Sequence, residues 1–181
     1  MSASAAIVLQ EDFERATQGL NVVPVGWTVA DGDVDVAGPD LDSFLCAGSG
    51  NCVDLDGSSF KAGVLQRTVQ LRGGASYMLS FDLAGNRRQS GPETGNVRFG
   101  DTLLQYAIAD TSLDYSRHSL LFRPVLDGSY GLSFANAGHD FGGAILDNVL
   151  VTSVSVAAPS TVAGFGAAAF ALALSGRRRR V

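Results

Sequence analysis

Cys46 and Cys52 are the only cysteines of this 181-residue chain, and the segment Ala-Gly-Ser-Gly-Asn separates them. Such a flexible segment allows a disulfide, which forms in an oxidising compartment and would contribute roughly 2 kcal/mol by loop closure. A metal site is the competing interpretation, but His118 and His139 are the only histidines, so the chain offers a poor zinc ligand set. We therefore expect a Cys46–Cys52 disulfide.

Asp147 is the carboxylate whose position in the sequence is most informative. It alternates with Ile145, Val149 and Val151, so a strand here would place all four side chains on one face. A carboxylate on an apolar face is costly unless it accepts hydrogen bonds or binds a cation. Two interpretations stay open: a bound cation, or a metal-free turn in which Asp147 accepts backbone N–H groups.

Aromatic and planar polar side chains are the candidates for ligand contact, because a sugar needs rings to stack on and planar groups for its hydroxyls. The candidate rings are Trp27, Tyr106 and Tyr115, and the candidate polar groups are Asn86, Arg87 and Arg88. Each also has a structural interpretation. Trp27 follows a glycine at the start of a predicted strand, as core tryptophans do, and the two arginines could form ion pairs or face solvent.

Catalytic motifs find little support in this sequence. It contains no Gly-x-Ser-x-Gly nucleophile elbow, no His-Glu-x-x-His and no phosphate-binding glycine loop before a helix. A glycosidase could use two carboxylates, but eighteen acidic residues offer too many pairs to choose from. Apart from four arginines near the C-terminus, the chain has nine basic residues and eighteen acidic ones. This acidic excess argues against nucleic acid as a partner. We expect a non-enzymatic protein.

Short segments of alternating apolar and polar residues predict the elements that position these groups. Residues 77–83 place Tyr77, Leu79, Phe81 and Leu83 on one face, and residues 129–134 repeat the pattern. Nine further strands are predicted at residues 7–13, 26–30, 33–37, 53–56, 64–71, 96–99, 103–108, 116–122 and 145–156. Eleven short strands without an amphipathic helix predict an all-β fold, with two antiparallel sheets in a jelly-roll β-sandwich over residues 7–155.

The C-terminal segment, residues 156–181, has a different composition. Residues 162–176 carry no charge, and Arg177, Arg178, Arg179 and Arg180 follow. A helix over the uncharged residues would be about 22 Å long, and neighbouring residues with snorkelling arginines bring it to marginal spanning length for a ~30 Å bilayer core. This pattern predicts a short transmembrane helix with its arginines in the cytoplasm and the sandwich outside. The competing interpretation is a buried or disordered helix.

The same segment resembles a known sorting signal. Pro159-Ser160-Thr161, the Ala/Gly/Leu run and the arginine cluster are similar to the PEP-CTERM tail of exported bacterial proteins. In that family the tripeptide is Pro-Glu-Pro, of which only Pro159 is present. The resemblance implies an inner-membrane tether, processing by an exosortase, and a final location at the cell surface or in extracellular polysaccharide. At the other end, residues 1–6 resemble the small-residue cleavage region of a signal peptide, so we expect the true start to lie upstream.

The globular part resembles a second family. Glu11-Asp-Phe-Glu14, Gly26-Trp27, the segments at residues 52–57 and 79–86, and Leu146-Asp-Asn-Val149 occur in an order similar to galactose-binding-like jelly rolls, which are related to carbohydrate-binding modules. The resemblance implies a glycan-binding module. It also implies a structural calcium ion between the first and last strands, with Glu14, Asp12 and Asp147 as ligands together with backbone carbonyls. The alternatives are a purely structural matrix protein and a carbohydrate-active hydrolase.

Overall fold

The computed structural model describes residues 5–48, 50–88, 91–109, 112 and 114–154. Eleven strands form its framework: β1 (Ile7–Glu11), β2 (Thr28–Ala30), β3 (Asp35–Ala37), β4 (Cys52–Asp54), β5 (Val64–Leu71), β6 (Ser76–Ala84), β7 (Glu93–Phe99), β8 (Thr102–Ile108), β9 (Ser116–Phe122), β10 (Gly128–Asn136) and β11 (Ile145–Val154). Within these residues, no helix has the length and apolar character needed to cross a bilayer. The predicted transmembrane helix and the sorting segment lie outside the described residues.

The strands form two antiparallel sheets, as the sequence predicts. The first sheet has the order β3-β4-β11-β6-β9, with β1 also paired to β11, and the second has the order β2-β5-β10-β7-β8. The eight long strands therefore lie in the orders β1-β11-β6-β9 and β5-β10-β7-β8, which is the double Greek key arrangement of a jelly roll. The predicted all-β sandwich is confirmed.

The core lies between the two sheets and follows the alternation predicted for β6 and β10. Leu79, Phe81 and Leu83 of β6 are fully buried, and they face Leu132 and Phe134 of β10 across the sandwich. The Phe81 and Phe134 rings meet edge to face, with centroids 5.1 Å apart. The side chains at alternate positions of the same strands point away from this core, so the period-two pattern alone placed these residues correctly.

A β-bulge in β11 makes one expectation about Asp147 wrong. Asn148 has a φ of 51°, and the pairing of β11 with β6 shifts register after Asp147. The extra residue returns Val149 to the face that Leu146 occupies, so both pack in the main core, whereas Ile145 packs on the opposite face of the sheet. Asp147 therefore does not share a face with Val149 and is only half-buried.

The predicted disulfide is present on the outer face of the first sheet. Cys46 and Cys52 are bonded, with their Cα atoms 5.6 Å apart. Together with Leu45, Ala84 and Ile145 they form a small apolar cluster separate from the main core. The bond connects the loop that contains Phe44 to the start of β4.

The connections between strands lie at two opposite ends of the sandwich. Ile7 of β1 pairs with Thr152, and Ser76 of β6 pairs with Val154, so the start of β1, the β5–β6 turn and the end of β11 meet at one end. We call this the terminal end, and it also contains loop 123–127 between β9 and β10. The opposite end, here called the loop end, contains the connections 55–63 and 137–144 and residues 85–88, which follow β6.

A candidate ligand-binding surface at the loop end

Two of the aromatic residues predicted to contact a ligand lie in the core. Trp27 is only 5% exposed, its Nε1 donates to Glu11 Oε2 at 3.3 Å, and the Arg67 guanidinium lies 5.7 Å from its ring centroid. Tyr106 is 6% exposed, and its hydroxyl donates to Asn136 Oδ1 at 3.0 Å. Neither ring presents an open face, so the structure supports the structural interpretation at both positions.

The loop after β6 brings the predicted polar residues to the loop end. Asn86 is fully buried, and its Oδ1 accepts a hydrogen bond from Arg88 N at 2.8 Å. The Arg88 side chain is 28% exposed and bonds three other segments: it donates to Asp54 Oδ2 at 2.8 Å, to Phe141 O at 2.9 Å and to Asp42 Oδ2 at 3.0 Å. Ligand contact by Asn86, Arg87 or Arg88 stays a prediction. Arg88 at least is placed where a ligand can reach it.

Three phenylalanines that the sequence analysis missed either contact Arg88 or pack on a residue that does. Phe60 is 57% exposed and lies against Phe141, with ring centroids 3.5 Å apart. Phe44 is 50% exposed, and the Arg88 guanidinium lies 5.9 Å from its centroid. His139 completes the group, since its Nδ1 is 3.2 Å from Phe60 O. We call these five residues the aromatic surface.

The backbone at Phe60 and Phe141 has an unusual conformation. Their φ angles are 62° and 66°, in the left-handed region that bulky residues rarely adopt. Such a residue costs on the order of 1–3 kcal/mol and persists only where its surroundings enforce it. The sequence contained a signal for these two positions. Both phenylalanines stand in glycine-rich turns between predicted strands, so neither belongs to the buried face of a strand.

Buried carboxylates beneath the aromatic surface hold loop 137–144 in place. Asp54 Oδ1 accepts hydrogen bonds from Gly143 N at 2.8 Å and Asp56 N at 3.0 Å, and Asp56 Oδ2 accepts one from Asp140 N at 3.3 Å. Burial raises the pKa of Asp54 to about 7 and that of Asp56 to about 6. Both carboxyl groups are inaccessible to solvent. Their contacts with backbone N–H groups fix the loop that contains Phe141.

Glu93 extends this buried network towards the second sheet. Its Oε2 accepts a hydrogen bond from Asn136 Nδ2 at 3.0 Å, and burial, with smaller contributions from the charges of Asp140 and Asp56, raises its pKa to about 7. Asp56 Oδ1 has no hydrogen-bond partner among the described residues. The network is therefore rich in carboxylates and poor in cations, with Arg88 as the guanidinium in contact with Asp54.

The three predicted calcium ligands come within electrostatic range of one another. Burial raises the pKa of Asp147 to about 6, and the charges of Glu14 and Asp12 add to that rise. Asp147 Oδ1, however, accepts a hydrogen bond from Asn148 N at 2.6 Å, as the metal-free interpretation expects. In the described part of the chain, no three Asp, Glu, His or Cys side chains gather closely enough to hold a metal ion. Calcium binding by Asp12, Glu14 and Asp147 stays a prediction.

A concave surface lies on the outer face of the second sheet. It is a cleft of about 460 Å³ whose lining includes Thr28, Gln66, Arg98, Gly131 and Ser133, and none of the described residues that line it is aromatic. Gly131 lies mid-strand in regular register, and no atom lies within 4 Å of the position that its Cβ would occupy. A strand glycine without a bulge or a close neighbour leaves room for a ligand to approach.

Comparison with known proteins gives structural neighbours only. No family model matches the sequence, and no curated protein matches it. A family 61 carbohydrate-binding module, TmCBM61, solved in complex with β-1,4-galactotriose, is 16% identical with a TM-score of 0.58, over 78% of this chain and 93% of that one. The K3 adhesin domain of Lys-gingipain from Porphyromonas gingivalis is 19% identical with a TM-score of 0.54, over 82% of this chain and 99% of that one.

A third neighbour is the CBM22-1 xylan-binding domain of Xyn10C from Paenibacillus barcinonensis. It is 13% identical with a TM-score of 0.53, over 87% of this chain and all of that one. Part of an arabinofuranosidase, MgGH51, also matches at 13% identity and a TM-score of 0.57, but the match covers only 27% of that enzyme. At these identities the similarity establishes a shared fold, and each of the first three domains matches over nearly its whole length.

Proposed function

We propose that this protein is a non-enzymatic glycan-binding module whose ligand contacts the aromatic surface. The observation that carries the proposal is Phe60, a ring 57% exposed that packs on Phe141 beside the partly exposed guanidinium of Arg88. Sugars present apolar C–H faces and polar hydroxyl edges, so a ring beside a planar cationic donor matches both. A strained backbone that holds two rings at the surface also favours a functional role for them.

The structural neighbours support a binding module. Two of them are named for binding to sugars, a galactotriose and xylan, and a third is an adhesin domain. A hydrolase, the enzymatic alternative, would need a carboxyl group of raised pKa in contact with its substrate. Of the carboxyl groups with such pKa values, Asp54, Asp56 and Glu93 lie beneath loop 137–144 and are buried, and the half-buried Asp147 lies outside the aromatic surface.

The aromatic surface is a better candidate than the cleft on the second sheet. The cleft offers hydroxyl, amide and guanidinium groups from Thr28, Gln66 and Arg98 but no ring on which a pyranose could stack. The two surfaces are far enough apart to be tested separately, because Phe60 lies at the loop end and Gly131 in the middle of the second sheet.

The proposal includes export. The Cys46–Cys52 disulfide favours an oxidising compartment. The tail, with Pro159, residues 162–176 and the four terminal arginines, supplies a PEP-CTERM-like signal, for which we propose transient insertion in the inner membrane and recognition by an exosortase. The final location would be the cell surface or its polysaccharide. Fractionation of cells that express the full-length gene tests this part, and a soluble cytosolic product with reduced thiols would contradict it.

Binding of the full-length protein to a glycan array and to immobilised β-1,4-galactan and xylan tests the function. We expect saturable binding to at least one glycan, and Phe60→Ala should weaken it by tenfold or more, which corresponds to about 1.4 kcal/mol. Leu121→Ala is the matched control, since Leu121 is 54% exposed but lies on β9, away from the loop end. Gly131→Gln, which fills the cleft, should leave binding unchanged.

Two results would redirect the proposal. If Gly131→Gln abolishes binding and Phe60→Ala does not, the ligand occupies the cleft on the second sheet and the aromatic surface has another role. If no glycan binds, the structural alternative, a matrix protein without a discrete ligand, replaces the binding module. Turnover of a polysaccharide would instead favour the hydrolase.

A further inference from the structure

Large apolar side chains protrude from the terminal end, opposite the aromatic surface. In loop 123–127 Val125 is 88% exposed and Leu126 is 72% exposed. Ile7, at 63%, and Val154, at 36%, are exposed at the same end. Exposed apolar residues that occur singly need no explanation, but a group of them at one end is typical of a surface that contacts a membrane, a ligand or another protein.

Hydrogen bonds hold loop 123–127 in one conformation. Gly74 N donates to Pro124 O at 2.7 Å, Gly73 N donates to Asp127 Oδ1 at 2.8 Å, and Tyr130 OH donates to Leu126 O at 2.7 Å. These polar groups are paired within the protein while the side chains of Val125 and Leu126 are left outside. Such an arrangement suits entry into a membrane interface, where unpaired backbone groups are costly and apolar side chains are favoured.

The course of the chain brings the same end close to the predicted membrane segment. β11 ends at Val154, which pairs with Ser76 next to the β5–β6 turn. Only residues 155–161 separate Val154 from the uncharged residues 162–176. Seven residues reach at most about 25 Å when fully extended. If residues 162–176 enter a bilayer, the terminal end must therefore lie near its surface.

The distribution of charge favours the same orientation. The connections at the terminal end contain Arg72, Arg123, Asp101 and Asp127, whose charges cancel. Across residues 1–154, by contrast, nine basic residues stand against eighteen acidic ones, so the acidic excess lies outside these connections. Anionic headgroups repel an acidic surface and tolerate a neutral one with two exposed arginines.

We propose that the terminal end of the sandwich is a membrane-contact surface, on which Val125 and Leu126 enter the headgroup region of an anionic phospholipid bilayer. The tail then anchors the protein at this end, and the aromatic surface at the loop end points away from the bilayer. The membrane contact does not depend on glycan binding. In addition to the tail, this surface gives the protein a second contact with the membrane, which fixes the orientation of the folded domain.

Site-directed fluorescence on the full-length protein in vesicles of phosphatidylethanolamine and phosphatidylglycerol tests the proposal. A polarity-sensitive label on Leu126→Cys is compared with the same label on Phe60→Cys, since the native cysteines are bonded to each other and do not react. We expect a blue-shifted emission and at least twofold quenching by headgroup-linked nitroxide at position 126, and neither at position 60. Equal quenching at the two positions, no quenching at 126, or protein that does not float with the vesicles would overturn the proposal.

A second variant separates surface contact from anchoring by the tail. Val125→Asp in the Leu126→Cys background should remove most of the quenching while the protein still floats with the vesicles. Val25→Asp is the matched control, because Val25 is 84% exposed but lies outside the terminal end. In that variant the label at position 126 should still be quenched. Thermal melting of each variant in detergent confirms that it is folded. Quenching that survives Val125→Asp would contradict the contact, since tail anchoring alone would then explain it.

Discussion

Arg88 Nη1 donates a hydrogen bond of 2.8 Å to Asp54 Oδ2, a carboxylate with no exposed surface. The same nitrogen donates to Phe141 O at 2.9 Å. This guanidinium therefore connects the buried carboxylates at the end of β4 to the loop that contains an aromatic-surface residue. One side chain therefore contributes both to the stability of the loop end and to the geometry of the proposed ligand surface.

Replacing Arg88 by methionine should destabilise the protein, because it leaves Asp54 buried without its cation. Removal of one partner from a buried pair costs about 3–5 kcal/mol, and we expect about 2 kcal/mol here because the Arg88 side chain is partly exposed. Urea denaturation measures the loss. Arg123→Met, at an exposed arginine of the terminal end, should cost less than about 0.5 kcal/mol. Equal losses for the two variants would contradict the role of the Arg88–Asp54 pair.

Replacing Phe60 by glycine should separate stability from binding. Glycine adopts the observed φ of 62° without strain, so the melting temperature should stay constant or rise, while glycan binding weakens. Phe13→Gly is the matched control, since Phe13 also has a positive φ, 56°, but is fully buried. That variant should lose about 3–5 kcal/mol through the cavity it creates. A strongly destabilised Phe60→Gly would instead indicate that Phe60 is a structural residue.

The buried carboxyl groups predict stability that falls as pH rises. The pKa values of Asp54 and Glu93 are raised to about 7, above those of the unfolded chain, so the folded protein binds more protons than the unfolded chain between about pH 4 and 7. The contribution of these two groups to the free energy of unfolding is therefore largest at the acidic side of this window and decreases as the pH rises through it. We expect unfolding in a chelator-containing buffer to cost at least about 1 kcal/mol less at pH 8 than at pH 5, roughly 2–4 °C in Tm.

Glu93→Gln isolates the contribution of one carboxyl group to this pH dependence. The amide oxygen can still accept from Asn136 Nδ2 but does not ionise, so the slope of Tm against pH should become shallower. Asp127→Asn, the same change at an exposed carboxylate of the terminal end, is the matched control. A Glu93→Gln variant with the slope of the wild type would contradict the buried ionisation at this position.

Calcium binding by Asp12, Glu14 and Asp147 is tested by chelation. If a calcium ion is bound there, a chelator should lower Tm, and added calcium should restore it, because a ligand that binds only the folded state stabilises it by mass action. Asp147→Asn should abolish this response. An unchanged Tm in the wild type would leave the metal-free interpretation, in which Asp147 accepts from Asn148 N.

Much of the framework was accessible from the sequence because it depends on local periodicity. The alternation of Leu79, Phe81 and Leu83 specified both a strand and its buried face, and all eleven predicted strands correspond to strands of the structure. The Cys46–Cys52 disulfide was equally accessible, since the closure of a short flexible loop is a local event. The shared face of Asp147 with Val149 and Val151 was predicted wrongly, because a single inserted residue at Asn148 inverts every later position of a strand.

The candidate site was less accessible. Trp27 and Tyr106 carry ring types suited to sugar contact, but whether a ring is covered depends on residues distant in sequence, such as Arg67 and Asn136. Phe60 and Phe141 come from different connections, 81 positions apart in the numbering, and only strand order brings them together.

The sequence by itself determined the two-sheet fold, the disulfide and the apolar, arginine-capped tail, because each follows from side-chain periodicity or composition over a few residues. The tertiary structure alone decided which aromatic rings are open to a ligand and which carboxylates are buried. It also decided that the aromatic surface and the exposed Val125 and Leu126 lie at opposite ends. These properties are set by packing between segments far apart in the chain, whereas local periodicity specifies only which face of its own strand a residue occupies.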